Sequence, residues 1–268
     1  MRLSLLLVIC VLGHDFRLLN AQEKAESSPH VRLLVPAYFY PAGDGLKHWD
    51  RLLAAADKVP VVAIVNPASG PGKKADANYV KLLERARKTK ITLIGYVSTS
   101  YGKRTLDEVK ADVERWLQLY PHSITGVFFD EQASGADKVD YYAALRTHVR
   151  NNSKLGLVVT NPGTVCDAAY FDKPATDTAC VFEGPRRFDV LDFPKWLWPL
   201  PAERKAVLSY KIARVDEMRE LVKLAPKRKI GYLYITDAAG DNPWDRLPKY
   251  WDEEVAAMEA VNPRKAKR

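Results

Sequence analysis

Residues 105–131 read TLDEVKADVERWLQLYPHSITGVFFDE, and the change of period inside this stretch decides the fold. Its first sixteen residues place Leu106, Val109, Val113, Trp116, Leu117 and Tyr120 on one helical face. Thr105 and Glu108 have capping-box spacing, and Pro121 follows the end. A short, two-sided apolar run comes next, GVFF, as expected of a strand covered on both faces. That strand runs directly into two acids, Asp130 and Glu131. A buried strand gains nothing by ending on carboxylates, which lose hydration inside a protein. Such an ending belongs at a rim where chemistry is done.

The same alternation recurs along the chain. Candidate strands are VRLLVPAYF (31–39), VPVVAIVN (59–66), KITLIGYV (90–97), SITGVFFD (123–130), LGLVVTN (155–161), TACVFE (178–183), KAVLSY (205–210) and KIGYLYIT (229–236). Helical faces repeat at Leu46, Trp49, Leu53 and Ala56, and at Val215, Met218, Leu221 and Ala225. About eight βα units, spaced by about 30 residues, predict a single-domain α/β fold of the (β/α)8 TIM-barrel type. An open doubly wound sheet would carry a GxGxxG turn after its first strand, and YFYPAGDG (38–45) lacks one. The chain has 268 residues and is 47% hydrophobic, enough for one such core.

In a barrel the chemistry sits at the C-terminal strand ends. Read in order, those ends carry Tyr38 and Tyr40, Asn66, Tyr96, Asp130 and Glu131, Asn161, Glu183, Tyr210 and Asp237. Strands four and six feed the same inner layers, so Asp130, Glu131 and Glu183 converge over one cleft. Paired carboxylates are what glycoside hydrolysis requires: one protonates the leaving oxygen, the other attacks or activates water. These three are the candidate catalytic residues. Strand parity favours Asp130 for the direct chemistry, as nucleophile. Glu183 is then the general acid/base, with Glu131 supporting or swapping roles with Asp130. Tyr38, Tyr40, Asn66, Tyr96, Asn161, Tyr210 and Asp237 are the candidate substrate-binding residues. Asp237 has a second reading of equal weight, as a turn residue accepting backbone N–H groups. After it, Asn242, Pro243 and Trp244 are expected to start the final helix, with Pro243 suited to its first turn.

Competing chemistries lack their signatures. SGPGKK (69–74) is not GxxxxGK[ST], and no GxSxG is present. The chain has five His and three Cys residues, without zinc-ligand spacing. No cofactor and no metal are expected. The formal net charge is +8, spread over helical surfaces, and no nucleic-acid motif accompanies it. The N-terminus, MRLSLLLVICVLG, reads as a secretory signal over residues 1–21, its apolar run of about ten residues being too short to span a bilayer. Removing residues 1–21 takes away Arg2, Asp15 and Arg17 and leaves +7. A linker (22–30), the barrel (31–260) and a basic tail (261–268) follow. Export would leave Cys166 and Cys180, either as a disulfide or as two buried thiols. The expected protein is a monomer, secreted, periplasmic or on the cell surface, with no stable membrane insertion and a polysaccharide as partner.

Five motifs in this order carry a family resemblance: NPASGPG (66–72), GVFFDE (126–131), TNPGT (160–164), VFEG (181–184) and ITDAAGDNPWDRLPKYW (235–251). Together they resemble the spherulin-4 family, also called glycoside hydrolase family 135. The resemblance implies a (β/α)8 barrel and endo-α-1,4-N-acetylgalactosaminidase activity on galactosaminogalactan, a secreted biofilm polysaccharide. It also implies an acidic cluster at Asp130, Glu131 and Glu183. Two alternatives stay open. A carbohydrate-binding barrel at the cell surface would bind without turnover, and a metal-dependent deacetylase would need a converging His/Asp site.

Overall fold

The computed structural model describes residues 30–262; the expected signal segment, nearly all of the linker and most of the basic tail lie outside the described residues. Eight parallel strands close into a barrel in chain order. They are β1 (Arg32–Ala37), β2 (Val61–Val65), β3 (Thr92–Ser98), β4 (Gly126–Asp130), β5 (Leu157–Thr160), β6 (Thr178–Gly184), β7 (Lys205–Ser209) and β8 (Tyr232–Ile235). Around them lie α1 (Asp44–Ala55), α2 (Ala77–Ala86), α3 (Leu106–Leu119), α4 (Val139–Asn151), α5 (Ala169–Asp172), α6 (Val215–Leu224) and α7 (Trp251–Val261).

The opening stretch folds as its pattern requires. Thr105 caps α3 with the reciprocal Glu108 bond, and Val109, Val113 and Trp116 are buried. Trp116 lies on β3 at Gly95, where a Cβ would come within 2.7 Å of the indole. Its Nε1–H donates to the Tyr96 carbonyl at 2.9 Å. Gly95 therefore faces the helix layer, and its neighbours Ile94, Tyr96 and Ser98 face the barrel interior. Register pairs Ile94 with Gly126, Tyr96 with Phe128 and Ser98 with Asp130, so β4 turns Asp130 inward.

Two expectations need correction. The helices do not alternate strictly with all eight strands. The β5–β6 connection holds only the one-turn α5, and the β6–β7 connection holds only 3-10 turns. The physical reason is Pro185, Pro194, Pro199 and Pro201, which remove helix donors across residues 185–204. Lys205 ties this irregular segment down: buried, it donates to the Leu197 carbonyl at 3.2 Å and the Leu200 carbonyl at 2.8 Å. The final helix starts at Trp251, not near residues 242–244 as read from sequence. Residues 236–250 instead fold as a loop at the mouth.

Candidate active site

Asp130 and Glu131 are adjacent, and a regular pleat would point them to opposite faces. The strand ends at Asp130, and Glu131 takes a left-handed backbone with φ of 54°. That conformation is costly for a residue with a Cβ and persists only when neighbours hold it. They do: the Glu131 carbonyl accepts from Tyr101 N–H at 2.7 Å and Thr99 Oγ1 at 2.8 Å. Thr99 Oγ1 also meets Tyr142 Oη at 2.7 Å, deep in the core. The reversal swings the Glu131 carboxylate to Ser98 Oγ, at the end of the neighbouring strand, so both acids serve the mouth.

Glu183 arrives by a different device. On a regular strand Cys180 and Glu183, three residues apart, would face opposite sides. The β6–β7 register slips between Cys180 and Phe182, leaving Val181 as the extra residue of a bulge. Both Cys180 and Glu183 can then point inward. The fully buried Cys180 thiol lies in the field of both carboxylates, and burial followed by Glu183 and Asp130 pushes its proton affinity well up. Cys166 is also buried, its thiol pushed up to about 11 by burial. Both thiols are free, so the two cysteines are separate and not a disulfide.

Asn161, just past β5, joins the acids. Its Oδ1 accepts from Gly163 N–H at 3.0 Å, which fixes the amide orientation. Its Nδ2 then donates to Asp130 Oδ1 at 2.8 Å and to Glu183 Oε2 at 2.6 Å. Two oxygens sharing one donor lie no further apart than those two bonds end to end. Tyr96 lies beside Asp130 and Trp244 beside Glu183, and each favours the charged form of its neighbour.

Burial raises the proton affinity of Asp130, against the donors Tyr96, Asn161 and its neighbour's backbone N–H. Glu183 is likewise raised by burial, opposed by Asn161, raised again by the charge of Asp130, and opposed by Trp244. The charge on Asp130 makes the loss of the Glu183 proton harder, so the two groups titrate as a coupled pair.

The other predicted residues separate into two groups. Tyr38 is half-buried at the mouth, edge-on to Tyr96 at 5.8 Å and within the field of Asp130 and Glu183. Tyr96 itself is mostly buried. Tyr210 packs edge-on to Trp244 at 5.6 Å. Three residues hold structure instead. Tyr40 bonds Asp76 and Asn78 at the start of α2. Asn66 Oδ1 accepts from Gly70 N–H at 2.8 Å and shapes its own turn. Asp237 has its oxygens occupied by Arg246 and the Lys249 N–H.

Beside Glu183 opens a cavity of about 350 Å³ lined by Thr164, Phe182, Arg186, Asp192 and Phe193. A larger hollow of about 590 Å³ lies on the outside between α6 and α7, lined by Arg219, Lys223, Asp252 and Ala256 among others, and shares no residue with the mouth. Among the described residues no group of three or more His, Cys, Asp or Glu side chains could hold a metal ion, and no helix is long and apolar enough to cross a membrane.

A family model described as spherulation-specific family 4 matches residues 32–258. The chain belongs to this spherulin-4 family. Spherulin-4 of Physarum polycephalum is 30% identical over 249 residues, covering 89% of this chain and 73% of that protein. The crystal structure of Aspergillus clavatus Sph3 in complex with GalNAc superposes with a TM-score of 0.74 at 28% identity, covering 86% of this chain and 98% of that one. Membership and the eight-stranded barrel agree with the resemblance read from the five motifs.

Within this spherulin-4 barrel, Trp244 beside Glu183 was not legible in the sequence, because NPW (242–244) reads as a helix start. The run GDNP (240–243) is a loop signature and could have corrected that. The bulge at Val181 had no local signal.

Proposed function

We propose that the protein is an exported endo-acting glycoside hydrolase of family 135 type, cutting α-1,4-linked N-acetylgalactosamine or galactosamine polysaccharide. The observation that carries this reading is the shared Asn161 donor, which holds two half-buried carboxyls of raised proton affinity side by side at one mouth. The likeness to Sph3, solved with GalNAc, supports the sugar class. Tyr38 and Tyr210, both half-buried, supply aromatic surface for sugar C–H groups.

The donors divide the roles. Tyr96, Asn161 and the Glu131 backbone all favour the charged form of Asp130, and we assign the negative charge to it. That charge in turn favours a proton on Glu183. Asp130 is therefore the nucleophile and Glu183 the acid that protonates the departing oxygen, then the base that activates water. Glu131, bonded to Ser98, supports the sugar or Asp130. Oxygens close enough to share one amide favour the retaining arrangement, with carboxyls about 5–5.5 Å apart, over the inverting one at about 6.5–9.5 Å. The N-terminal signal segment would deliver the enzyme to an extracellular or envelope polymer.

Reducing-end release from α-linked galactosamine polymers, acetylated and deacetylated, tests the reading. Hydrolysis is expected to fall by about 10²–10⁴-fold in Asp130→Asn and Glu183→Gln. The first product observed by NMR should keep the α configuration. Binding without any release would leave a non-catalytic carbohydrate-binding barrel as the answer.

A further inference from the structure

Tyr101 lies in the turn after β3, and the chemistry above gives its side chain no role. Ser100, Tyr101 and Gly102 all take a left-handed backbone, with φ of 48°, 56° and 70°. Glycine adopts that region freely, but a bulky residue with a Cβ is strained in it. Bonds along its length hold the turn. Gly102 N–H donates to the Thr99 carbonyl at 3.1 Å, and Lys103 N–H to the Ser100 carbonyl at 3.0 Å. Arg104 Nη1–H donates to the Ser98 carbonyl at 2.7 Å. Ser100 N–H donates to Ser98 Oγ at 3.3 Å, the hydroxyl that also meets the Glu131 carboxylate. Tyr101 N–H donates to the Glu131 carbonyl at 2.7 Å, so two left-handed residues brace each other beside the acids.

Glu131 thus explains the backbone of Tyr101, but not its side chain. Glycine or asparagine would present the same N–H with less strain. The ring recovers little of that cost by burial, because Tyr101 is 54% exposed. Tyr40 and Trp198, also exposed, spend their polar atoms within the protein, Tyr40 on Asp76 and Asn78 and Trp198 on the Phe193 carbonyl. The Tyr101 hydroxyl has no protein partner among the described residues. Backbone strain collects at ligand-binding surfaces, and a ring with a polar tip suits a ligand that is apolar on one face and hydroxylated at its edge. A sugar is such a ligand.

We propose that Tyr101 is an outer sugar platform of the mouth: its ring takes the C–H face of a hexosamine residue further along the chain from the one held by the acids. The braced turn fixes the ring before the sugar arrives, so little freedom is lost on binding. The proposal rests on the reading of the mouth as a polysaccharide site and extends that site beyond the strand ends.

The test measures binding by calorimetry in the Glu183→Gln background, which removes turnover, with GalNAc alone and with long α-1,4-linked N-acetylgalactosamine oligosaccharides. Tyr101→Gly and Tyr101→Asn suit the left-handed backbone and should weaken binding of the long chain about tenfold, while GalNAc binds as before. Tyr101→Trp keeps a flat ring and should retain long-chain binding. Tyr101→Leu keeps bulk and strain without a flat face and should lose most of it, so the Trp and Leu pair carries the test if the smaller variants do not fold. Unchanged long-chain binding in Tyr101→Gly or Tyr101→Leu would overturn the proposal. An equal loss for GalNAc alone would overturn it too, by making the side chain a mere support of Glu131. If neither ligand binds the Glu183→Gln protein, the polysaccharide reading falls and the platform with it. Binding that ignores Tyr101 brings down the platform alone. Binding that depends on Tyr101, with no cleavage by the parent protein, brings down only the hydrolase reading.

Discussion

Asn161 is one amide between two acids, and both carboxyls depend on it. With its Oδ1 held by Gly163, rotation cannot present an acceptor to Asp130 or Glu183. Asn161→Ala should therefore raise the proton affinity of both groups and reduce cleavage on the order of 10²-fold, with the pH–rate profile displaced upward. An unchanged profile would show that the two acids are set by burial alone. Asp130 was legible at this scale because an acid closing an apolar strand is a conflict visible in the sequence. The role of Asn161 was only half legible. A strand-end Asn suggests a polar contact, but its two partners come from strands 31 residues before and 22 residues after it.

At the scale of elements, α3 sits on β3 because Gly95 leaves room for Trp116, whose indole also needs the Tyr96 carbonyl. Gly95→Ala forces a Cβ into that ring and should cost about 1–3 kcal/mol in chemical denaturation. The same step would push on Tyr96, which lies in the field of Asp130, so activity should fall with stability. A neutral Gly95→Ala would mean that α3 can shift outward freely. The strands and most helices were readable from period and caps. The 3-10 connection between β6 and β7 was signalled only by its prolines, and the bulge at Val181 was not signalled, because it is defined by the register against β7.

At the scale of the whole molecule, burial of acids links stability to pH. Glu254 is fully buried where β8 leaves β1, which pairs with it over only two residues. Its Oε1 accepts from Ile235 N–H at 3.0 Å, and Oε2 has no protein partner. Burial pushes its proton affinity far up, opposed only by that N–H. An acid with a raised folded value binds its proton more tightly folded than unfolded. Its contribution is thus fully present below the ordinary Glu value of 4.5 and is lost as pH rises toward the folded value. Glu254→Gln keeps an acceptor for Ile235 without ionising. Its thermal midpoint should exceed the parent's at pH 8, and the advantage should vanish at pH 4. Glu183, also raised by burial, should behave alike in Glu183→Gln, gaining stability at pH 8 while losing cleavage. An advantage independent of pH in either variant would remove ionisation as the cause.

By itself, the sequence determined the eight-stranded barrel, the mouth at its C-terminal strand ends and the three acids placed there. Those follow from local pattern: period, caps, and polar residues closing apolar runs. Tertiary structure alone decided which acids share a donor, how Glu131 turns back to Ser98, how a bulge turns both Cys180 and Glu183 inward, and that Asp237 faces Arg246. Each of these is a meeting of side chains or strand registers from different parts of the chain. Such a meeting is set by barrel closure and by a few ångströms of register, which no local period records.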